Sequence, residues 1–88
     1  MLNISFTPNA WEDYLYWQKT DKKLLKKINI LIKDVQRNPE GTGLGKAEKL
    51  SHELSGFCSR RINYTHRMIY KVEKNMLIIF QLRFHYKE

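Results

Sequence analysis

Leu24, Leu25, Ile28, Leu31, Ile32 and Val35 fall on one stripe of an α-helix, and that stripe constrains this chain more than any other feature. A helix this apolar along one side needs a second layer to cover it. Its back carries Lys22, Lys23, Lys26, Lys27 and Lys33, and Asn38-Pro39 ends it. The covering layer lies in the C-terminal third, where short β-type runs near 59–63, 67–73 and 76–85 are separated by turns at Thr65-His66 and Lys74-Asn75.

The N-terminal part completes the plan. Leu2, Ile4 and Phe6 alternate with Asn3 and Ser5, as in a half-buried strand. Thr7-Pro8 reads as a helix cap followed by proline at the first helical position. Trp11, Tyr14 and Leu15 follow at helical spacing, and Thr20-Asp21 ends this helix and caps the next. Residues 40–46 hold three of the four glycines and read as a flexible connection; their spacing matches neither the phosphate-binding loop nor the dinucleotide fingerprint. Ser55-Gly56 reads as a turn. The expected fold is α+β: a single domain over residues 1–88, with two N-terminal helices on one face of a curved, mostly antiparallel sheet of four to five strands.

Period-two alternation then sorts the side chains. Met76, Ile78, Phe80, Leu82 and Phe84 share one apolar face, expected under the helices with Met68, Tyr70, Val72 and Ile62. The other face collects Arg61, Arg67, Ile69, Lys71, Leu77, Ile79, Gln81, Arg83 and His85, and a strand bulge would flip part of this set. Three arginines and a histidine with almost no acid among them suit phosphate, because guanidinium forks bind its oxygens in pairs.

Charge points the same way. Sixteen Lys and Arg against nine Asp and Glu give a formal +7, which favours a polyanionic partner. RNA, DNA, a ribosome, an acidic protein and an anionic lipid surface all stay open. The lysine back of the second helix suits either plain solvation or docking on a large nucleic acid. One cysteine, Cys58, has no partner for an internal disulfide, as in a reducing compartment. No signal peptide or membrane-length apolar run is visible, so a cytoplasmic location and no membrane partner are expected. One cysteine and three scattered histidines do not make metal-ligand spacing, and neither a metal nor a cofactor is expected.

The segments Trp11 to Gln18 (WEDYLYWQ), Leu54 to Phe57 (LSGF), Ser59 to Ile62 (SRRI), His66 to Tyr70 (HRMIY) and Arg83 to Tyr86 (RFHY) resemble the YoeB toxins of the RelE superfamily, in order along nearly the whole chain. The resemblance implies a microbial-ribonuclease type of fold and the toxin of a type II toxin–antitoxin system. It implies an mRNA endonuclease acting in the ribosomal A site, with the ribosome, mRNA and a YefM-type antitoxin as partners. Operator DNA would be reached only through the antitoxin complex. A homodimer and mixed assemblies with antitoxin both stay open.

Metal-free RNA cleavage uses the ribose 2′-OH as nucleophile. It needs a base for that proton, cations at the phosphorane and an acid for the 5′-oxygen. By the resemblance, Glu48 is the base, Arg67 stabilises the phosphate, His85 is the acid and Tyr86 donates a hydrogen bond or stacks on a base. Arg61, Arg83 and Lys49 would bind substrate, and Lys22, Lys23, Lys26, Lys27 and Lys33 would dock on the ribosome. Which of Glu48 and His85 is base in the ground state stays open. The chain departs from the family pattern in places. Ala47 and Lys49 flank Glu48 where the family has prolines, and Lys49 would favour the charged carboxylate. Ser51 stands where a lysine is frequent, and Cys58, read as a small buried hydrophobe, where tryptophan is frequent. Lys87-Glu88 extend past the tyrosine. His66 reads as a turn residue and His52 as a surface or supporting one. Two alternatives to the enzyme remain: an RNA- or ribosome-binding inhibitor that acts by occupancy, and an antitoxin-dependent co-repressor.

Overall fold

Thr7 and Asp21 set the frame of the helical layer. In the computed structural model, which describes residues 1–40 and 43–85, strand β1 (Asn3–Phe6) runs into Thr7. The Thr7 hydroxyl accepts from the Ala10 N–H, and Pro8 opens helix α1 (Pro8–Thr20). Asp21 ends α1, its N–H donating to the Trp17 carbonyl. Its carboxylate then caps helix α2 (Lys22–Arg37) by accepting from the Leu24 N–H at 3.0 Å. Asn38 closes α2 before Pro39, as expected.

The rest of the chain forms β2 (Glu48–Lys49), a short 3₁₀ turn (His52–Leu54), β3 (Cys58–Arg61), β4 (Arg67–Glu73) and β5 (Met76–Gln81). The five strands make one sheet in the order β1-β5-β4-β3-β2. Only the β1–β5 pair is parallel. The architecture expected from the sequence is therefore present: two helices on a mostly antiparallel sheet. Ile28, Leu31, Ile32 and Val35 of α2 bury against Met68, Tyr70, Leu77, Ile79 and Leu82, with Ala10 and Trp17 from α1. Lys22, Lys23, Lys26, Lys27 and Lys33 are all exposed on the far side.

The face assignment of β5 needs correction. Leu77 and Ile79, expected on the open face, are fully buried in the core, whereas Met76, Ile78 and Phe80 are only half-buried and lie outside it. The turn register is the cause. Lys74-Asn75 is a two-residue turn with Lys74 at φ +53°, which sets Glu73 opposite Met76, Val72 opposite Leu77 and Tyr70 opposite Ile79. Directly opposed residues share a face, so even-numbered core residues of β4 face odd-numbered ones of β5. A bulge then intervenes: Tyr70 pairs with Ile79, but Ile69 pairs with Gln81. The extra residue lets both Ile79 and Leu82 reach the core while Gln81 stays on the open face with Ile69. Past Gln81 the chain leaves the ladder, so the strand expected to reach residue 85 is shorter.

Candidate active site

The open face is built from register rows. Glu48 pairs with Ser59, Ser59 with Ile69, and Ile69 with Gln81, which makes one row across four strands. Arg61 pairs with Arg67 in the next row of that face, two residues along β3 and β4. The acid of β2 and the two arginines thus share one face, as expected for Arg61 and Arg67. Lys49, one residue from Glu48, pairs with Cys58 and has the opposite parity. It lines a concavity at the sheet edge with Pro39, Cys58 and Tyr70, and Glu48 borders the same concavity.

Arg61 is exposed, but Arg67 is 8% exposed. Its Nη1 donates to the carbonyls of Asn63 at 2.9 Å, Tyr64 at 3.2 Å and His66 at 3.1 Å, closing the β3–β4 turn beneath it. Asn63 tightens the same turn by accepting from the N–H groups of Thr65 and His66. Among the described residues the other guanidinium nitrogens of Arg67 have no hydrogen-bond partner and no carboxylate balances the charge. A well-held, uncompensated cation of this kind has its remaining fork edge to offer an anion.

Residues 82–85 bend back along this end of the sheet. The Leu82 N–H donates to the Asp13 carboxylate at 3.0 Å and its carbonyl accepts from the Trp17 indole at 2.8 Å, so α1 grips both sides of one peptide residue. The Phe84 N–H donates to His66 Nδ1 at 2.7 Å, and the Phe84 carbonyl accepts from the Arg67 N–H at 3.0 Å. Gln81 Nε2 donates to the carbonyls of Arg83 at 2.7 Å and Phe84 at 3.2 Å, and reaches that of His85 at 3.5 Å. Phe84 takes φ +68° in this bend. His85 is exposed and follows the residue bonded to Arg67. Tyr86 and the Lys87-Glu88 extension lie outside the described residues.

Arg83 corrects the parity placement. Its guanidinium lies 3.7 Å from the centre of the Tyr16 ring on α1 and 4.6 Å from that of Phe84, instead of on the open sheet face with Arg61 and Arg67. The bend after Gln81 ends the period-two alternation on which that placement rested.

Several supporting groups were not singled out by sequence. Arg60, buried completely, donates from Nη1 to Asp34 of α2 at 2.6 Å and to the Leu44 carbonyl at 2.8 Å, and from Nε to the Tyr70 hydroxyl at 3.1 Å. Asp34 also accepts from the Leu44 N–H, so the pair holds the segment just before β2 and Glu48. The Arg60 hydrogen bond holds the Asp34 carboxyl below its ordinary range. The one available signal was the parity of Arg60 with Ile62, which places it toward the core. His66 is no plain turn residue: it is half-buried, packs edge-on to Trp17 at 4.8 Å, and burial pushes its pKa down. Burial likewise raises the Cys58 thiol, which suits a packing role and not a nucleophile. His52 is exposed at φ +56°. Among the described residues no group of three His, Cys, Asp or Glu is placed to hold a metal ion, and no helix is long and apolar enough to cross a membrane.

Comparison with known proteins places this chain in a family. Residues 6–86 match the sequence model described as a YoeB-like toxin of bacterial type II toxin–antitoxin systems. The toxin YoeB of Escherichia coli K12 is 51% identical over 85 residues, spanning 97% of this chain and 100% of that protein. The YoeB–YefM heterotetramer of Staphylococcus aureus contains a chain of 50% identity and TM-score 0.89, covering 98% of this chain and 99% of that one. The YoeB dimer of the same organism is similar at 50% identity and TM-score 0.90, over 97% and 98% of the two chains.

Proposed function

The chain belongs to the YoeB-like toxins of bacterial type II toxin–antitoxin systems, and from that premise we propose that it cleaves mRNA on the ribosome, without a metal, and so stops translation. The observation that carries this reading is one face holding Glu48, Arg61 and Arg67, with the His85 segment bonded to the Arg67 backbone.

In the proposed reaction Glu48 takes the proton of a ribose 2′-OH. That oxygen attacks the adjacent phosphorus. The outward edge of Arg67 and the exposed Arg61 hold the non-bridging oxygens as negative charge builds on the phosphorane. His85 gives a proton to the 5′-oxygen as the P–O5′ bond breaks. The products are a 2′,3′-cyclic phosphate and a 5′-hydroxyl. Tyr86 supports the leaving group or stacks on a base. Arg83, seated on Tyr16, binds a phosphate further along the strand, and Lys49 contributes charge at the sheet edge next to Glu48. The exposed lysines of α2 dock on ribosomal phosphates. An open sheet face leaves substrate positioning to the ribosome, which fits an enzyme inactive on free RNA.

A YefM-type antitoxin is the proposed inhibitor, an acidic segment of it covering the basic face; operator DNA is reached through that complex, and the free toxin is a homodimer. The YoeB–YefM heterotetramer and the YoeB dimer of S. aureus support these assemblies. Inhibition by occupancy alone is the second reading, favoured by the commitment of Arg67 Nη1 to the turn carbonyls. Translating ribosomes incubated with the protein, with and without a chelator that takes transition metals but leaves magnesium, followed by mapping of mRNA ends, test both. Cleavage abolished by His85→Ala and Arg67→Ala supports the nuclease. Blocked translation with intact mRNA overturns it in favour of occupancy. Loss of cleavage on chelation, with ribosomes shown intact, overturns the metal-free step.

A further inference from the structure

The C-terminal bend is held by Asp13 and Trp17 of α1, by Gln81 and by His66, which bonds the residue just before His85. His66 Nδ1 accepts the Phe84 N–H at 2.7 Å, while the next residue, Arg67, donates its own N–H to the Phe84 carbonyl at 3.0 Å. Residue 84 is therefore held through both of its backbone groups, one residue before the proposed acid. Two residues earlier, Asp13 and Trp17 hold both backbone groups of Leu82. Strand β5 ends at Gln81, and beyond it these side chains and the Arg67 N–H hold the chain.

We propose that His66 is a positioning residue that aims His85 at the sheet face, acting as a neutral acceptor for the Phe84 amide. The proposal rests on His85 being the acid of the cleavage step. Acceptance at Nδ1 requires the neutral ring with its proton on Nε2. Protonation turns Nδ1 into a donor facing another N–H, and the clasp on residue 84 is lost. The charged groups around the ring are Asp13 from α1, Arg83 from the bend and Arg67 from β4. Burial and the two arginines oppose protonation, while Asp13 favours it. The folded-state pKa lies below 6.5, so the clasp is whole above that value and opens as pH falls through the folded-state pKa.

The test compares His66→Ala with His66→Asn, whose side-chain carbonyl oxygen takes the place of Nδ1 but does not titrate. On programmed ribosomes His66→Ala lowers kcat about 100-fold. KM stays within about twofold, because the substrate-binding arginines are untouched. His66→Asn recovers kcat to within about fivefold of wild type. Amide exchange, corrected for the intrinsic pH effect, reads the clasp without substrate: Phe84 loses protection in His66→Ala, keeps it in His66→Asn, and loses it in wild type but not in His66→Asn at acid pH. Should His66→Ala fail to fold, the wild-type and His66→Asn titrations still decide. Wild-type kcat in His66→Ala, an equal kcat loss in both variants, or a Phe84 amide indifferent to pH overturns the proposal. A wild-type protein that leaves mRNA intact overturns the nuclease reading instead, and the exchange experiment then judges the clasp by itself.

Discussion

Replacing Asp34 by alanine tests how the sheet edge carrying Glu48 is held. Arg60 has no exposed side-chain surface and Asp34 keeps 24%. Removing one partner of a buried pair costs about 3–5 kcal/mol, because the other charge is left in low dielectric. Arg60 would retain Tyr70 Oη and the Leu44 carbonyl, and Asp34 is partly hydrated, so the expected loss lies at the lower end, about 3 kcal/mol. In a domain of this size that lowers Tm by about 12–24 °C. Urea unfolding should show the same loss as a lower midpoint with an unchanged slope. Replacing both partners, as Asp34→Leu with Arg60→Met, should cost less than Asp34→Ala alone, since the apolar pair leaves no buried charge behind. The pH dependence has a definite sign. A carboxyl whose folded-state pKa is depressed stabilises the fold in full above its unfolded value, about 3.8, and that stability is lost as pH falls through the folded value. The gap between wild type and Asp34→Ala therefore stays constant from neutrality to about pH 5 and closes only below about pH 4. A loss under about 1 kcal/mol, the worth of a surface pair, would refute the reasoning.

Three further outcomes follow. Leu77→Ala should cost about 3 kcal/mol and Ile78→Ala clearly less, by thermal unfolding; the reverse order would restore the parity that the two-residue turn excludes. Trp17→Phe removes the indole donor to the Leu82 carbonyl and should cost about 1–3 kcal/mol, while a neutral result would deny that bond a role. Glu48→Gln and His85→Gln should each lower cleavage by about 100-fold or more, the first losing the acid limb of the pH–rate profile and the second the alkaline limb. Retention of both limbs in both variants would remove these residues from the acid–base assignment.

Strong local rules made much of the fold legible. The caps at Thr7 and Asp21, the stop at Asn38-Pro39 and the stripe of α2 each depend on residues a turn or less apart in the chain. The lysines of α2 are exposed for the same reason. Glu48, Arg61, Arg67 and His85 were candidates through resemblance, and strand parity put Arg61 and Arg67 on the sheet face that they share. Parity failed for β5 because both of its faces are apolar: Met76, Ile78 and Phe80 read as well as Leu77 and Ile79 for the core. The Lys74-Asn75 turn held the answer, since its length sets the cross-strand register, whereas the bulge opposite Ile69 and Tyr70 carried no mark in composition.

By itself, then, the sequence determined the two helices, the N-terminal strand and the three long C-terminal strands, their order, the basic character of the molecule and the family pattern, because these follow from nearest neighbours, periodicity and charge; the short β2 that carries Glu48 was not among them. The tertiary structure alone decided that Arg60 pairs with Asp34 across 26 positions, that Arg83 rests on Tyr16, and that Asp13, Trp17 and His66 hold the chain before His85. Each of these joins residues far apart in the chain, and the free energy that selects such a contact exists only once the intervening chain has folded around it.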